Sequence, residues 1–205
     1  DAVLITHTHK DHIMGLSSLI KKTNVKCYIP EGLYEEINKI VPSEQIVIIE
    51  DEFDLETFHI QLIHTSHDVP FSVGYIITSE DASLVYVTDT GYINQRYLKK
   101  MKNKTIYIME SNHDEKMLME GPYPYYLKQR VIGDKGHLSN HTTAGYLKEI
   151  VGKDTKYIIL AHLSEHNNTE ELARTTLEEE LMGAGILDKE IIIAKQHEEG
   201  PYIEV

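Results

Sequence analysis

The chain has 205 residues, 41% of them hydrophobic, and carries a formal charge of −13. This length suffices for a substantial core, so we expect residues 1–205 to form a single domain. No apolar run approaches the roughly 18 residues that a membrane helix needs, and one cysteine, Cys27, excludes an internal disulfide. These features indicate a soluble cytoplasmic protein. The net negative charge argues against binding of nucleic acid over a broad basic surface.

The densest group of potential metal ligands lies near the start of the chain, in the segment Thr6–His12, which reads THTHKDH. It follows an apolar run typical of a buried strand and precedes a segment whose apolar residues recur at helical spacing. His7 and His9 are two apart in extended chain and face the same way, whereas Asp11 and His12 approach from the helix mouth. A single zinc-like ion that keeps one coordination position open for water needs fewer than four protein ligands. Four such groups in one motif therefore predict two metal ions.

The rest of the chain alternates between helical and extended patterns. The patterns predict helices over 31–41, 94–101, 140–151 and 169–182, with a short one from about 116, and strands over 46–49, 58–63, 73–78, 84–88, 105–109, 157–161, 191–194 and 202–205. The acidic residues between the first two of these strands are interpreted as a turn, and Asn168 with Glu171 as a cap of the last helix.

Three further residues at strand ends are candidate ligands. His64 and His67 are an odd number of residues apart, so both cannot face one metal by simple alternation. Asp89 follows the strand 84–88, and a carboxylate can bridge two ions by binding one through each oxygen. The same Thr-Asp-Thr-Gly sequence is also compatible with an ordinary turn.

Two polar segments follow in the middle of the chain. The carboxylate of Glu110, the amide of Asn112 and the imidazole of His113 come directly after a predicted strand, where they either line the rim of a site or bond the local backbone. Tyrosines are interleaved with basic residues over 123–130, a pattern that suits stacked bases and phosphates but also suits packing at a core or a rim.

A glycine, a histidine and two capping residues precede the helix that ends near 151. Free backbone N–H groups at a helix N-terminus favour an anion such as phosphate, which makes Gly136, His137, Ser139 and Asn140 candidate substrate contacts. Ser139 or Asn140 can equally serve as the helix N-cap.

The pattern H-x-H-x-D-H after an apolar strand resembles the second motif of the metallo-β-lactamase superfamily. Within it the chain is most similar to the YycJ (WalJ) group, relatives of ribonuclease Z in the nuclease branch. The likeness rests on the first motif together with ESNHD at 110–114, GHLSN at 136–140 and AHLSEHNN at 161–168. These segments span the chain from its first strand to about residue 170.

The resemblance implies a complete set of metal ligands. His67 is preferred to His64 because the following Val-Pro and Gly-Tyr pairs are similar to ribonuclease Z relatives. The implied ligands divide between two ions joined by a carboxylate: His7, His9 and His67 for one ion, Asp11, His12 and His162 for the other, and Asp89 as the bridge.

The implied fold is an α/β protein, an αββα sandwich of two mixed β-sheets flanked by helices. Because the chain starts with Asp1 inside a strand, we expect the N-terminal strands of that fold to be missing. The implied activity is that of a dinuclear hydrolase using zinc or manganese to cleave phosphodiesters, with DNA as substrate and exonuclease action. The residues expected to take part in it are Asp11 and His137 in catalysis, and His137, Ser139, Asn140, Asn112 and His113 in substrate binding.

Two other functions are compatible with parts of the sequence. A glyoxalase II-like hydrolase of small thioesters or esters shares the metal ligands but does not need the element at Gly136 and His137. A metal-stabilised binding module without catalysis is the second alternative. It is disfavoured because a structural metal is usually closed off by four protein ligands.

Overall fold

A computed structural model describes residues 1–205. It contains ten strands: β1 (Ala2–Leu4), β2 (Lys26–Pro30), β3 (Ile46–Ile49), β4 (Glu52–Leu55), β5 (Phe58–His64), β6 (Val73–Thr78), β7 (Ser83–Val87), β8 (Ile106–Glu110), β9 (Tyr157–Ala161) and β10 (Glu190–Ile193). It contains eight α-helices: α1 (Lys10–Ile13), α2 (Leu16–Thr23), α3 (Tyr34–Ile37), α4 (Gln95–Met101), α5 (Glu115–Glu120), α6 (Tyr125–Ile132), α7 (Asn140–Ile150) and α8 (Glu170–Gly183). None of the helices is both long and apolar enough to cross a lipid bilayer.

The strands form two sheets. The first sheet has three parallel strands in the order β1-β2-β3. The second sheet has seven strands in the order β10-β9-β8-β7-β6-β5-β4, and its β7 to β10 half is parallel whereas its β4 to β7 half is antiparallel. The expectation of two mixed sheets is therefore right for the second sheet and wrong for the first. A wholly parallel sheet needs cover on both faces, and helices and the second sheet provide it here.

Period-two alternation along the strands builds the layers. On β6, Tyr75 packs between the two sheets with Ile49 and Ile60, whereas the next residue, Ile76, faces the opposite way into the core beneath α4, α7 and α8. The first sheet packs its other face against α2 and α3, with Ile29 in the middle of that cluster. The order of layers is helix, sheet, sheet, helix, which confirms the αββα sandwich.

Several helices differ from their predicted bounds. The helix after the first motif is broken at Gly15 into α1 and α2, and the one predicted over 31–41 is a 3-10 turn followed by α3, which ends at Ile37. The tyrosine-rich segment that carried no helix prediction forms α6. The N-cap of α8 is Thr169, whose hydroxyl accepts from the Leu172 amide at 3.1 Å, and not Asn168.

Two strand predictions are wrong. The acidic segment interpreted as a turn is β4, which pairs with β5 as a hairpin because Phe53 and Leu55 face the core between exposed acidic residues. Residues 202–205 form no strand, and Tyr202 is 91% exposed. Gly200 and Pro201 precede this segment, and proline cannot donate to a strand ladder.

One edge of the sandwich gathers chain ends from both sheets. Residues that follow β1, β5, β7 and β9 come together there, because parallel strands present their carboxyl ends at the same edge. The two sheets are tied at this edge by a backbone bond from the Val73 amide to the Thr6 carbonyl at 2.9 Å, and by the Tyr75 hydroxyl, which donates to the Ile5 carbonyl at 2.5 Å.

Candidate metal centre

Three histidines from two separate segments form the first group of ligand atoms. His7 and His9 follow β1, His67 follows β5, and one ring nitrogen of each lies within 4.8 Å of the other two. Nδ1 of His9 and Nε2 of His67 are 3.1 Å apart. Since the Gly136 carbonyl accepts from Nδ1 of His67 at 3.3 Å, the Nε2 lone pair of this ring faces the other two histidines.

A second group lies beside the first. Asp11, His12 and His162 bring one oxygen and two nitrogens within 4.8 Å of one another, and Asp89 makes a similar group with His7 and His12. Oδ1 of Asp89 is 3.4 Å from Nε2 of His162, and its Oδ2 is 3.4 Å from Nε2 of His12. The Asp89 carboxylate therefore lies between the two groups.

Two buried atoms of this arrangement indicate that it suits a cation. Nε2 of His7 and Oδ2 of Asp89 are both buried and have no hydrogen-bond partner in the protein. Burial, helped by the neighbouring histidines, lowers the pKa of His7 to about 3, so its ring is neutral and keeps a lone pair. Buried acceptors without a donor are costly unless a positive group meets them. The residues fit divalent metal ions.

The backbone at two of these positions is unusual. Asp89 has φ 55° and His162 has φ 58°, in the left-handed region that non-glycine residues seldom adopt. Asn112 supports the second of these, because its side-chain amide donates to the His162 carbonyl at 3.0 Å. Such conformations cost on the order of 1–3 kcal/mol each and concentrate at functional sites.

Glu110 lies directly behind the candidate ligands; the sequence places its carboxylate at a strand end on the rim of a site but assigns it no role. Its carboxylate is completely buried, and one oxygen, Oε1, accepts from Nδ1 of His137 at 2.7 Å and from Nδ1 of His162 at 2.9 Å. Burial alone would raise the pKa of Glu110, but the hydrogen bonds from the two histidines outweigh it and lower that pKa to about 2. The pKa of His162, which burial would lower, is raised to about 9, mainly by its bond to Glu110.

These bonds fix which nitrogen each ring presents. A carboxylate only accepts, so Nδ1 of His137 and Nδ1 of His162 carry hydrogens. Nε2 of His162 is thereby the nitrogen that a metal ion would take, and the ion would displace the proton that the raised pKa keeps on this ring. Nε2 of His137 has no hydrogen-bond partner in the protein, and this half-buried side chain lines the cleft, with its Nδ1 3.8 Å from Oδ1 of Asp89.

At the start of α7, where the sequence suggests a phosphate site, a carboxylate of the protein itself accepts a backbone hydrogen bond. The amides of Leu138 and Thr90 donate to Oε2 of Glu110, both at 3.1 Å, and the His137 amide donates to the Val131 carbonyl at 2.8 Å. Ser139 is the N-cap and accepts from the Thr142 amide at 3.2 Å. The anion held at this turn is therefore the carboxylate of Glu110.

The other proposed substrate contacts lie at different depths. Asn112 lines the cleft, whereas Asn140 is buried and exchanges side-chain hydrogen bonds of 2.9 Å with Asn168. The Ser139 hydroxyl donates to Glu115 at 2.9 Å, away from the cleft lining. His113 is buried, its backbone carbonyl accepts from the Asn140 amide, and burial lowers the pKa of its ring.

His64 lies outside the centre. Its Nε2 is 3.0 Å from Asp51 at the surface, so of the two neighbouring histidines only His67 reaches the other ligands. Asp11 is the most open ligand candidate, with a side chain that is 71% exposed. A signal for Glu110 did exist in the sequence, since it ends a buried strand whose two parallel neighbours are followed by Asp89 and His162.

The ligands face an open cleft of about 980 Å³. Its floor contains His9, Asp89 and His162, and one wall is formed by α6 and the residues flanking it. Residues 163–170 and 194–198 also line the cleft. A substrate much larger than a single phosphate group can therefore reach the metal ligands.

Comparison with known proteins places this geometry in a family. Residues 1–162 match the family model described as "Beta-lactamase superfamily domain". Exodeoxyribonuclease YycJ from Bacillus anthracis is 35% identical over 193 residues, which cover 89% of this chain and 73% of that protein. Exodeoxyribonuclease WalJ from Streptococcus pneumoniae serotype 2 is 36% identical over 198 residues, which cover 91% of this chain and 72% of that protein.

Solved structures share the fold at lower identity. The metallo-beta-lactamase fold protein YhfI from Bacillus subtilis has a TM-score of 0.71 at 20% identity and covers 95% of this chain and 75% of its own. The short form of human tRNase Z has a TM-score of 0.63 at 17% identity and covers 98% of this chain and 79% of its own. The chain therefore belongs to the metallo-beta-lactamase superfamily, in the group of YycJ and WalJ, and is a metal-dependent hydrolase.

Proposed function

We propose that the chain is a dinuclear phosphodiesterase that degrades DNA from an end. The observation that supports it most directly is His137, which is not one of the seven proposed ligands. Glu110 accepts from its Nδ1, which is also 3.8 Å from Oδ1 of Asp89, and its side chain lines the cleft with Nε2 bonded to no group of the protein. The two curated relatives that are 35% and 36% identical to this chain are named exodeoxyribonucleases. Hydrolysis of DNA phosphodiesters would suit this centre as well.

The proposed ions are two, of zinc or manganese, because the donors are imidazole nitrogens and carboxylate oxygens without a thiolate. His7, His9 and His67 would hold one ion, Asp11, His12 and His162 the other, and Asp89 would bridge them. Such ions supply a nucleophile at neutral pH, since they lower the pKa of water to about 7, and they polarise phosphoryl oxygens.

The residues of the chain orient the substrate and move the proton. His162 is kept in the ligating tautomer by Glu110, and the same carboxylate holds the His137 ring in place. A protonated His137 can deliver its Nε2 proton to the oxygen that leaves phosphorus, while Nδ1 stays bonded to Glu110. Asn112 holds the backbone of His162 from the cleft floor.

The test compares leaving groups in a variant that keeps the metals. General acid catalysis by a positioned histidine contributes a factor of about 10² to 10⁴, so His137→Ala should lose roughly that factor on a DNA oligonucleotide. A thiolate needs little protonation, so any thioester hydrolysis should be almost unaffected. Elemental analysis should find the metal content of parent and variant equal.

The end requirement is checked with circular single-stranded DNA, which an exonuclease cannot cleave, next to the linear form of the same sequence. The nuclease proposal would be overturned if the parent hydrolysed thioesters readily, left both DNA forms intact and was insensitive to the loss of His137. A glyoxalase II-like activity would then explain the same ligands.

A further inference from the structure

The cleft has a wall that the proposed chemistry does not use. Tyr123, Leu127 and Val131 are spaced four residues apart, so Leu127 and Val131 share one face of α6, and all three line the cleft. All three are half-buried, whereas Tyr125 and Tyr126 are 71% and 74% exposed and do not line it. The aromatic residues of this segment therefore divide into one cleft tyrosine and two surface tyrosines.

Tyr123 is held in a defined orientation. Its ring meets the His166 ring edge to face, with centroids 6.1 Å apart and an interplanar angle of 86°. His166 also lines the cleft, so this contact joins two segments of the cleft lining that are distant in sequence. An ordered aromatic side chain offers a stacking surface at low cost in conformational entropy.

A cation lies on the same wall, close to the metal ligands. Nε of Arg130 donates to Oδ2 of Asp68 at 2.6 Å, and Oδ1 of Asp68 is 3.4 Å from Nε2 of His9. The side chain of Arg130 is 61% exposed and lines the cleft. Asp68 thus holds the guanidinium beside the site where phosphate chemistry is proposed, with donors left for a further phosphate. Lys135 lines the cleft without an ion-pair partner.

We propose that this wall is a subsite for one unpaired nucleotide next to the scissile phosphodiester, a proposal that rests on the proposed nuclease function. The base lies against Tyr123, Leu127 and Val131, and the adjoining phosphate meets Arg130. A paired base inside a duplex has both faces stacked and its edge bonded, so only a base that has left the stack can use an apolar wall. The substrate class is therefore single-stranded or frayed ends.

The experiment uses the metal-loaded protein and single-stranded DNA oligonucleotides that carry, at either end in turn, a normal or an abasic terminal nucleotide. Stacking on an aromatic side chain is worth about 5- to 150-fold per base, so the parent should prefer the normal end by a factor in that range, expressed in KM. Tyr123→Ala should lose this preference while its rate on the abasic end stays unchanged. Tyr123→Phe should keep the preference, and so should the surface control Tyr126→Ala.

Two further comparisons separate the contribution of base stacking to substrate binding from that of the phosphate contact. Arg130→Gln should raise KM on normal and abasic ends alike. The control Lys128→Gln should not, because the Lys128 ammonium donates to the Met119 carbonyl outside the cleft lining. A duplex with a mismatched end should be cleaved faster than one with a paired end, and Tyr123→Ala should remove that advantage.

The outcomes distinguish the two proposals. If the parent cleaves DNA but treats normal and abasic ends equally, or if Tyr123→Ala slows both ends equally, the nucleotide subsite is wrong and the nuclease proposal stands. If the parent cleaves no oligonucleotide of any kind, the nuclease proposal fails and the subsite fails with it.

Discussion

At the scale of single residues, Glu110 connects the metal ligands to the proposed proton donor. One oxygen of its buried carboxylate accepts from His137 and His162, and the other accepts from the amides of Thr90 and Leu138. A buried charge is stable only when it is fully paired, and here four donors meet it. Glu110 therefore orients two histidines of the proposed site at once and bonds the turn that carries His137.

Replacing this carboxylate by an amide tests its role. In Glu110→Gln the side-chain NH₂ cannot accept, so either the two histidines that share Oε1 or the two backbone amides that share Oε2 lose their acceptor, and the remaining oxygen carries no negative charge. Loss of such an outer partner typically weakens metal binding about 10- to 100-fold, and we expect that loss at the His162 ion, together with slower DNA cleavage. Metal titration followed by activity measurement checks it. Glu115→Gln is the control, since a hydroxyl donates equally well to its amide oxygen. Unchanged metal affinity in a folded Glu110→Gln protein would refute this role.

Substitutions of Asp89 and of His162 should weaken the binding of different numbers of metal ions. Asparagine tolerates left-handed backbone, so Asp89→Asn and His162→Asn preserve φ values of 55° and 58° better than alanine would. If Asp89 bridges, Asp89→Asn should weaken both ions, whereas His162→Asn should weaken mainly one. Elemental analysis after dialysis decides this. Two equivalents retained in Asp89→Asn would contradict the bridging assignment.

At the scale of elements, the turn between α6 and α7 positions two histidines of the site. Its Gly136 carbonyl accepts from the metal-ligand candidate His67, and its next residue is His137. A Cβ on Gly136 would lie 2.0 Å from the Val131 carbonyl oxygen and 2.4 Å from that of Arg130. Both are backbone atoms of α6, so the close approach requires glycine.

Gly136→Ala should therefore move the turn away from α6 and displace both histidines. Steric insertion of this kind costs about 1–3 kcal/mol, and we expect lower stability together with reduced DNA cleavage. Gly145→Ala is the matched control, because Gly145 is inside α7 and a Cβ there meets nothing within 4 Å. It should stabilise the protein by about 0.4–1 kcal/mol. Urea unfolding midpoints check both changes, and an unaltered Gly136→Ala protein would contradict the argument.

The sequence predicts those elements whose signal is local and misses those that depend on distant partners. The hairpin of β6 and β7 and strand β9 follow directly from apolar patterning. Strand β4 is missed because its acidic residues suggest a turn, while its core contacts come from elsewhere in the fold. The strand-end position of Glu110 can be read from the sequence, but its two histidine partners cannot, since they are 27 and 52 residues away.

At the scale of the whole molecule, the charge of −13 is compatible with a nucleic-acid substrate only if the phosphates are met locally. The acidic runs 50–52 and 178–180 lie outside the cleft lining. Of the cleft cations, Arg130 is paired with Asp68 and Lys195 with Glu198 at 3.0 Å, which leaves Lys135 without a partner. Beyond the proposed ions, the protein therefore offers one or two cationic contacts to a DNA strand.

This count predicts a weak dependence of DNA binding on salt. Each phosphate neutralised on a single strand contributes a slope of about −0.7 to log K against log salt, so one or two contacts give roughly −0.7 to −1.4. Binding of a DNA strand with non-cleavable linkages to the metal-loaded protein, titrated with potassium chloride, measures it. Lys135→Gln should reduce the steepness by about one contact, whereas Lys99→Gln on α4, away from the cleft lining, should leave it unchanged. A slope corresponding to many contacts would place the DNA on an extended basic surface and contradict a short, locally held strand end.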